Sequence, residues 1–222
     1  MLFDLRSRGR RRTVQVVYLG LALLMGGGLV LFGVGAGNGL GGLLNAFTGG
    51  GSGNAQSTAI SQQEKAALKQ TRLNPSDPAG WSALVNARWI SATSNSSNYN
   101  SSTATFTASG KKELAATTAA WQRYLKLTKK PDPNLAILAA RAYAQQGQYS
   151  GSAGAWELQT LANPSSAKGY ECLAAAAYAA KQTRKGDLAL AKALSMVPKL
   201  SRATLKSQIS AAKTTPAVAQ GC

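Results

Sequence analysis

The sequence repeats aromatic residues, leucine and proline at an interval of 34 or 35 positions, within alanine-rich stretches that favour helix. Pro164 and Pro198 are 34 positions apart, and Tyr143 and Tyr178 are 35 positions apart. An interval of this length accommodates two short helices and their turns. The pattern therefore predicts an all-α body of stacked helix pairs, a short α-solenoid in which each pair buries its apolar face against the next.

The stretch RAYAQQGQYSGSAGAWELQTLANP, residues 141–164, resembles the tetratricopeptide repeat (TPR). The matching residues follow the order and spacing of that family: Ala140, Tyr143, Gly147, Tyr149, Trp156 and Pro164. Ser152 departs from the usual alanine. A poorer copy begins at Pro78, and a third covers residues 165–198, with Tyr178 one position late. The resemblance implies about three TPR-like helix pairs, with residues 201–213 as a capping helix.

The residues singled out by the repeat and by the apolar stripes are assigned to packing between helices. In the TPR family, small residues let paired helices approach, aromatic residues fill the space between them, and proline ends the second helix. The predicted repeat-packing residues are Trp81, Leu84, Trp121, Ala140, Tyr143, Gly147, Tyr149, Trp156, Pro164, Tyr178 and Pro198.

Short polar residues mark where the helices should begin. Asp77 and Asp132 each precede a proline, so each can cap a helix whose first residue needs no amide hydrogen. Ser166, Asp187 and Ser201 are the further predicted caps. Residues 61–64 read SQQE, a capping-box pattern that predicts a helix from residue 61 to about residue 73.

An uncharged apolar stretch occupies residues 14–34. As a helix it would measure about 31 Å, which matches the hydrocarbon thickness of a bilayer. The stretch follows a basic segment, residues 1–13, that contains Arg6, Arg8, Arg10, Arg11 and Arg12. The pattern predicts a single transmembrane helix with these topology-determining arginines in the cytoplasm and the following domain exported. The alternative is a cleaved secretory signal, with residues 33–36 as a forced match to the cleavage site.

Residues 35–60 are rich in glycine and predict a flexible tether. Leu40, Leu43, Leu44 and Phe47 form one apolar stripe within it, which indicates either a short helix in the membrane interface or the frayed end of the span. The TPR-like helical domain is predicted over residues 61–214, with a Ser, Thr and Asn-rich loop insert at residues 92–110. Residues 215–222 are interpreted as a tail.

The composition disfavours an enzyme. The chain contains no histidine, and its acidic residues form no close pair in the sequence. We therefore predict no catalytic residue, no cofactor and no metal site. Cys172 is interpreted as a small buried thiol on a helix, and Cys222 as an exposed thiol that can pair with another chain. A disulfide between these two cysteines is the alternative.

The body is strongly basic, with 20 lysines and arginines against seven acids from Glu64 to Cys222. Such a surface attracts anionic lipid headgroups, cell-wall polymers or acidic proteins, whereas nucleic acid is an unlikely partner outside the cytoplasm. The competing interpretation is that the lysines only keep an alanine-rich solenoid soluble.

Anchor and helical repeats together predict a scaffold or chaperone-like adaptor that binds proteins or peptides at the outer face of the cytoplasmic membrane. This layout is similar to that of bacterial ancillary subunits of the Sec translocon, which implies translocon components or exported chains as partners. The alternative is a basic cell-envelope protein that holds anionic cell-wall polymer or lipid headgroups. The sequence leaves the homo-oligomeric state open.

Overall fold

The computed structural model describes residues 53–222, with side chains from residue 59 onward, and this part of the chain is mostly helical, as predicted. The α-helices are α1 (Gly53–Leu73), α2 (Pro78–Ser94), α3 (Ala108–Leu127), α4 (Pro133–Gln145), α5 (Tyr149–Ala162), α6 (Ala167–Ala179), α7 (Thr183–Met196) and α8 (Arg202–Ser210). Two short strands are β1 (Tyr99–Asn100) and β2 (Thr105–Phe106), and short 3-10 helices are Lys199–Ser201, Ala211–Lys213 and Pro216–Gly221.

The predicted membrane span, the five arginines before it and most of the tether lie outside the described residues. Within residues 53–222, none of the helices combines the length and the apolar character that crossing a bilayer requires.

Three of the predicted N-caps are confirmed. The Asp77 carboxylate accepts a hydrogen bond from the Ala79 amide at 2.9 Å, and the Asp132 carboxylate accepts one from the Asn134 amide at 2.8 Å. Ser166 Oγ accepts from the Gly169 amide at 3.1 Å. Each side chain satisfies an amide that has no partner inside its own helix, so these bonds fix where α2, α4 and α6 begin.

The prediction that Asp187 caps a helix is wrong, because α7 already begins at Thr183. Lys181 adopts a left-handed conformation with φ of 62°, and the Gln182 amide donates to the Ala177 carbonyl oxygen at 2.8 Å. This turn reverses the chain before Asp187, which lies inside α7. Its carboxylate accepts a hydrogen bond from the Tyr178 hydroxyl instead.

The capping box at Ser61 is also wrong, because α1 runs without interruption from Gly53 to Leu73. Residues 53–60, which were assigned to the tether, are therefore helical. Ser201 precedes α8 as predicted, but its side chain makes no capping hydrogen bond.

The helices pack as consecutive hairpins. Helix α2 packs on α3, α4 on α5, and α6 on α7, while α3 packs on α4 and α5 on α6. The turns between α4 and α5 and between α6 and α7 are only three residues long, so the helices of each of these hairpins run antiparallel. Helix α8 contacts α6 and α7.

Small residues let the hairpins close. Gly151 lies against the ring of Tyr143, and Gly186 lies against the ring of Tyr178, so a methyl group at either glycine would collide with a ring. Gly147, between α4 and α5, has φ of 72°, a conformation that glycine adopts without strain. Among the predicted packing residues, Leu84, Trp121, Ala140, Tyr143, Trp156 and Tyr178 are buried, Trp81 and Tyr149 are half-buried, and Gly147, Pro164 and Pro198 are exposed.

The predicted loop at residues 92–110 is an ordered connection. Its ends belong to α2 and α3, and between them β1 and β2 pair antiparallel, with Tyr99 opposite Phe106. The rings of these two residues lie 4.9 Å apart. Thr107 caps α3 by accepting from the Gly110 amide at 3.1 Å, a cap that the sequence analysis did not identify.

Candidate binding site

Residues 215–222, predicted as a tail, pack against the sides of α4 and α6. We refer to them as the docked segment. Ala219 in its centre is only 1% exposed, and Val218 packs against the main core. We define the first-helix face as the surface of α4 and α6 that the docked segment contacts, with Arg141, Gln145 and Cys172 as its contacting side chains.

The first-helix face holds the docked segment partly through main-chain atoms. Arg141 Nε donates to the carbonyl oxygen of Cys222 at 2.9 Å, and Gln145 Nε2 donates to that of Gln220 at 3.3 Å. These bonds do not depend on the side chain of the bound residue. A face of this kind can therefore accept a polypeptide segment with little demand on its sequence.

A disulfide joins Cys172 to Cys222, with their Cα atoms 5.5 Å apart. Cys172 is fully buried on α6, and Cys222 is half-buried. The interpretations of Cys172 as a buried thiol and of Cys222 as an exposed thiol available to another chain are therefore corrected. The structure contains the Cys172–Cys222 disulfide that the sequence analysis gave as the alternative. This bond holds the end of the docked segment on α6.

Helix α2, the first helix of the preceding hairpin, has a residue that corresponds in position to Arg141 of α4. Asn86 follows Pro78 by the same number of residues as Arg141 follows Pro133, and both prolines are the first residue of their helix. Asn86 is half-buried, and its amide donates to the Ser82 carbonyl oxygen at 3.4 Å. Asn86 is therefore the polar residue of α2 that corresponds to Arg141 of α4.

A separate concavity of about 500 Å³ lies between α1, α2 and α3. Its apolar lining includes Leu68, Trp81 and Leu84, and its basic lining is Arg72, Arg123 and Lys126. The Trp81 indole nitrogen donates to the Pro75 carbonyl oxygen at 2.8 Å, which fixes the ring in the wall. None of the residues that line this basic cavity is acidic.

Arg88 of α2 joins α1 to α3 by pairing with two glutamates. Its guanidinium lies 3.2 Å from the Glu64 carboxylate and 3.1 Å from the Glu113 carboxylate. Burial raises the pKa of Glu113, the negative charge of Glu64 raises it further, and Arg88 opposes both effects. The arrangement is a mostly buried charge cluster that holds three helices together.

Replacing Arg88 with methionine is expected to make the folded state less stable at neutral pH by about 1–3 kcal/mol, with a smaller loss at mildly acidic pH. A carboxyl group with a raised pKa binds its proton more tightly in the folded chain. Its favourable contribution is present below the ordinary pKa and is lost as the pH rises through the folded value. Without Arg88, the loss of stability between mildly acidic and neutral pH becomes larger. Urea unfolding at the two pH values measures this difference.

The matched control adds Glu64→Gln to the Arg88→Met variant. Removing the second carboxylate charge should restore part of the stability at neutral pH, because Glu64 raises the pKa of Glu113. An equal loss of stability at both pH values would contradict this account of the cluster.

A second polar cluster joins α6, α7 and the turn after α8. The Tyr178 hydroxyl donates to Asp187 at 2.7 Å, and Lys213 Nζ lies 3.4 Å from the same carboxylate and 4.3 Å from the Tyr178 ring centre. Burial and this hydrogen bond raise the pKa of Tyr178, so its hydroxyl stays protonated at neutral pH. These contacts connect elements that pack on one another.

Over residues 59–222, no group of three or more acidic or cysteine side chains converges as a metal site would require.

Sequence reasoning missed the docked segment and its partners. Arg141 and Cys222 are 81 positions apart, and Gln145 and Gln220 are 75 apart, so no local pattern signals these contacts. The one signal was the presence of only two cysteines in the chain.

Comparison with protein-family models, curated proteins and solved structures found no match.

Proposed function

We propose that this chain is a membrane-anchored, TPR-like scaffold or chaperone-like adaptor. Its first-helix face, together with the side of α2 that carries Asn86, binds segments of other proteins at the outer face of the cytoplasmic membrane. The observation that supports this most directly is intramolecular: the face already holds a polypeptide segment through donors from Arg141 and Gln145 to main-chain oxygens. A partner that presents an extended or loosely coiled segment would offer the same acceptors.

The Cys172–Cys222 disulfide supports an exported body. Disulfides form and persist in oxidising compartments and are rare in the cytoplasm. The sequence pattern of cytoplasmic arginines before an apolar stretch predicts the same placement. Exported chains and translocon components are the partners that this location would supply.

The proposal assigns binding to the face and no reaction. A guanidinium and a side-chain amide both donate hydrogen bonds, so Arg141 and Gln145 provide contacts to a bound segment. We therefore propose a non-enzymatic role that requires no cofactor.

The second candidate function is the holding of anionic cell-wall polymer or lipid headgroups. The basic cavity favours it, because three cations surround apolar walls there. Salt distinguishes the two functions. Attraction between exposed charges is screened at high ionic strength, whereas the hydrogen-bonded and apolar contacts of the first-helix face are screened much less.

A photoreactive amino acid placed at Asn86 in the full chain, in intact cells, tests the proposed face. We expect covalent adducts with exported proteins, in higher yield than from the same probe at Lys112, an exposed position on α3. The adducts should persist at high salt. Equal yields from both positions would reject the face as the binding site.

Protease treatment of intact cells tests the location separately. The body should be digested once the outer barrier is opened and the cytoplasmic membrane is intact. Digestion only after the cytoplasmic membrane is opened would reverse the proposed topology.

A further inference from the structure

The connections between successive hairpins lie at one edge of the stack. Each of them leads from the second helix of one hairpin to the first helix of the next. Because each hairpin reverses the chain, the ends of α1, α3, α5 and α7 lie at the same edge as the starts of α2, α4 and α6. We call it the junction edge. It comprises residues 72–78, 123–133, 161–168 and 196–202.

The junction edge exposes a leucine at each connection. Leu73, Leu127, Leu161 and Leu200 are 68%, 37%, 75% and 96% exposed. In residues 59–222 the remaining strongly exposed large apolar side chain is Leu188, within α7. Single exposed leucines are ordinary on protein surfaces, but four at corresponding connections form a row that water solvates poorly.

Cations surround this row of leucines. The exposed basic residues of the edge are Arg72, Arg123, Lys126, Lys129, Lys130, Lys168 and Lys199. Its acids are Asp77 and Asp132, and the carboxylate of each accepts a hydrogen bond from a helix amide. The edge therefore presents apolar side chains among an excess of cations, one of which, Lys168, pairs with Glu171 at 3.6 Å.

The basic cavity opens at the junction edge. Four residues belong to both the edge and the cavity lining: Arg72, Arg123, Lys126 and Leu127. A phosphate group at the mouth would have three cations within reach, while Trp81 and Leu84 would contact the apolar chain attached to it. Such a site fits an amphiphilic anion.

We propose that the junction edge binds the surface of an anionic phospholipid membrane, with the leucines inserted among the headgroups and the basic cavity holding one phosphate headgroup. Exposed leucines on four separate connections can each enter a membrane surface, whereas an acidic peptide would bind one continuous groove. Alternating apolar and basic side chains provide the two attractions that hold a protein at an interface, apolar insertion and charge. This inference rests on the second candidate function, which assigns the basic cavity to anionic groups, and it adds the phospholipid surface and the leucines that enter it. It uses a surface other than the first-helix face and does not require residues 14–34 to cross the bilayer.

Amide hydrogen exchange tests this with the full chain and lipid nanodiscs. We expect exchange at residues 72–78 and 123–133 to slow in discs that contain phosphatidylglycerol, compared with discs of phosphatidylcholine alone. Each lysine or arginine near an anionic surface strengthens binding by about fivefold, so Arg72→Gln, Arg123→Gln and Lys126→Gln together should abolish the difference. Leu73→Ser with Leu161→Ser and Leu200→Ser should reduce it as well, and these exposed side chains are not needed for the core.

The matched control neutralises three exposed cations away from the edge, Lys111, Lys112 and Arg184, by glutamine substitution. This variant should keep the full slowing. The proposal is overturned if this control loses the slowing as fully as the variant with three edge cations replaced, if phosphatidylcholine alone produces the slowing, or if soluble polyglutamate produces the same protection without lipid. The last outcome would identify an acidic polypeptide as the occupant.

Discussion

Replacing Trp121 with alanine is expected to lower the free energy of unfolding of the chain by about 3–5 kcal/mol, the cost of removing a large aromatic side chain from a packed core. Trp121 is 2% exposed, and its ring lies 5.5 Å from that of Tyr124. It belongs to α3, which packs on both α2 and α4. Removing it should weaken the contact between the first hairpin and the second, because repeat stability depends on interfaces between neighbours.

Urea unfolding of the full chain in detergent micelles, followed by circular dichroism, measures this effect. Trp121→Phe is one control, since it retains an aromatic ring and should lose less. Trp156→Phe is another: the buried indole nitrogen of Trp156 has no hydrogen-bond partner, so its removal should cost about 1 kcal/mol or less. A loss below about 1 kcal/mol for Trp121→Ala would show that α3 is not the element that couples the hairpins.

Local chemistry made part of the fold predictable. Asp77 and Asp132 each precede a proline, and a short side chain at that position has one dominant use, the capping of the first free amides. The aromatic residues of the 34-to-35-residue interval were predictable as packing residues for a similar reason. Tyr143 and Tyr178 recur at that interval, and in the structure each ring covers the glycine eight positions later, Gly151 or Gly186.

A longer repeat was present in the sequence but was not recognised. Residues 70–80 read QTRLNPSDPAG and residues 159–169 read QTLANPSSAKG. The shared residues hold similar turns, in which the amides of Asn74 and Asn163 donate to the carbonyl oxygens of Gln70 and Gln159 at 2.9 Å. The match indicates that α1 corresponds to α5, a second helix of a hairpin, although α1 has 21 residues and α5 only 14.

The failures have physical causes that a local pattern does not contain. The prediction at Asp187 failed because Lys181, which is not a glycine, adopts the left-handed conformation that reverses the chain, so α7 begins at Thr183. The docked segment was also out of reach of sequence reasoning. Its residues are small and weakly patterned, and their position is determined by a covalent bond and by donors from α4 that are far away in the chain.

Replacing Cys222 with serine is expected to lower the free energy of unfolding by about 2–4 kcal/mol, because the bond to Cys172 closes a long loop and restricts the unfolded chain. The two cysteines are 50 positions apart. The same change should free the docked segment, whose other hydrogen bonds, to α4 and to Tyr149 of α5, are exposed or only partly buried. Amide exchange in residues 216–221 should therefore accelerate more than exchange in α4 or α5.

Reductant provides the control for Cys222→Ser. The unmodified chain should lose the same stability when reduced, while the variant should be insensitive to reductant. Equal stability of the oxidised and reduced unmodified chain would contradict a stabilising role for the bond.

If the first-helix face binds partner segments, releasing residues 215–222 should also expose Arg141 and Gln145 to them. Crosslinking from a probe on α4 should then rise in the variant, whereas crosslinking from Asn86, outside the docked segment, should change less.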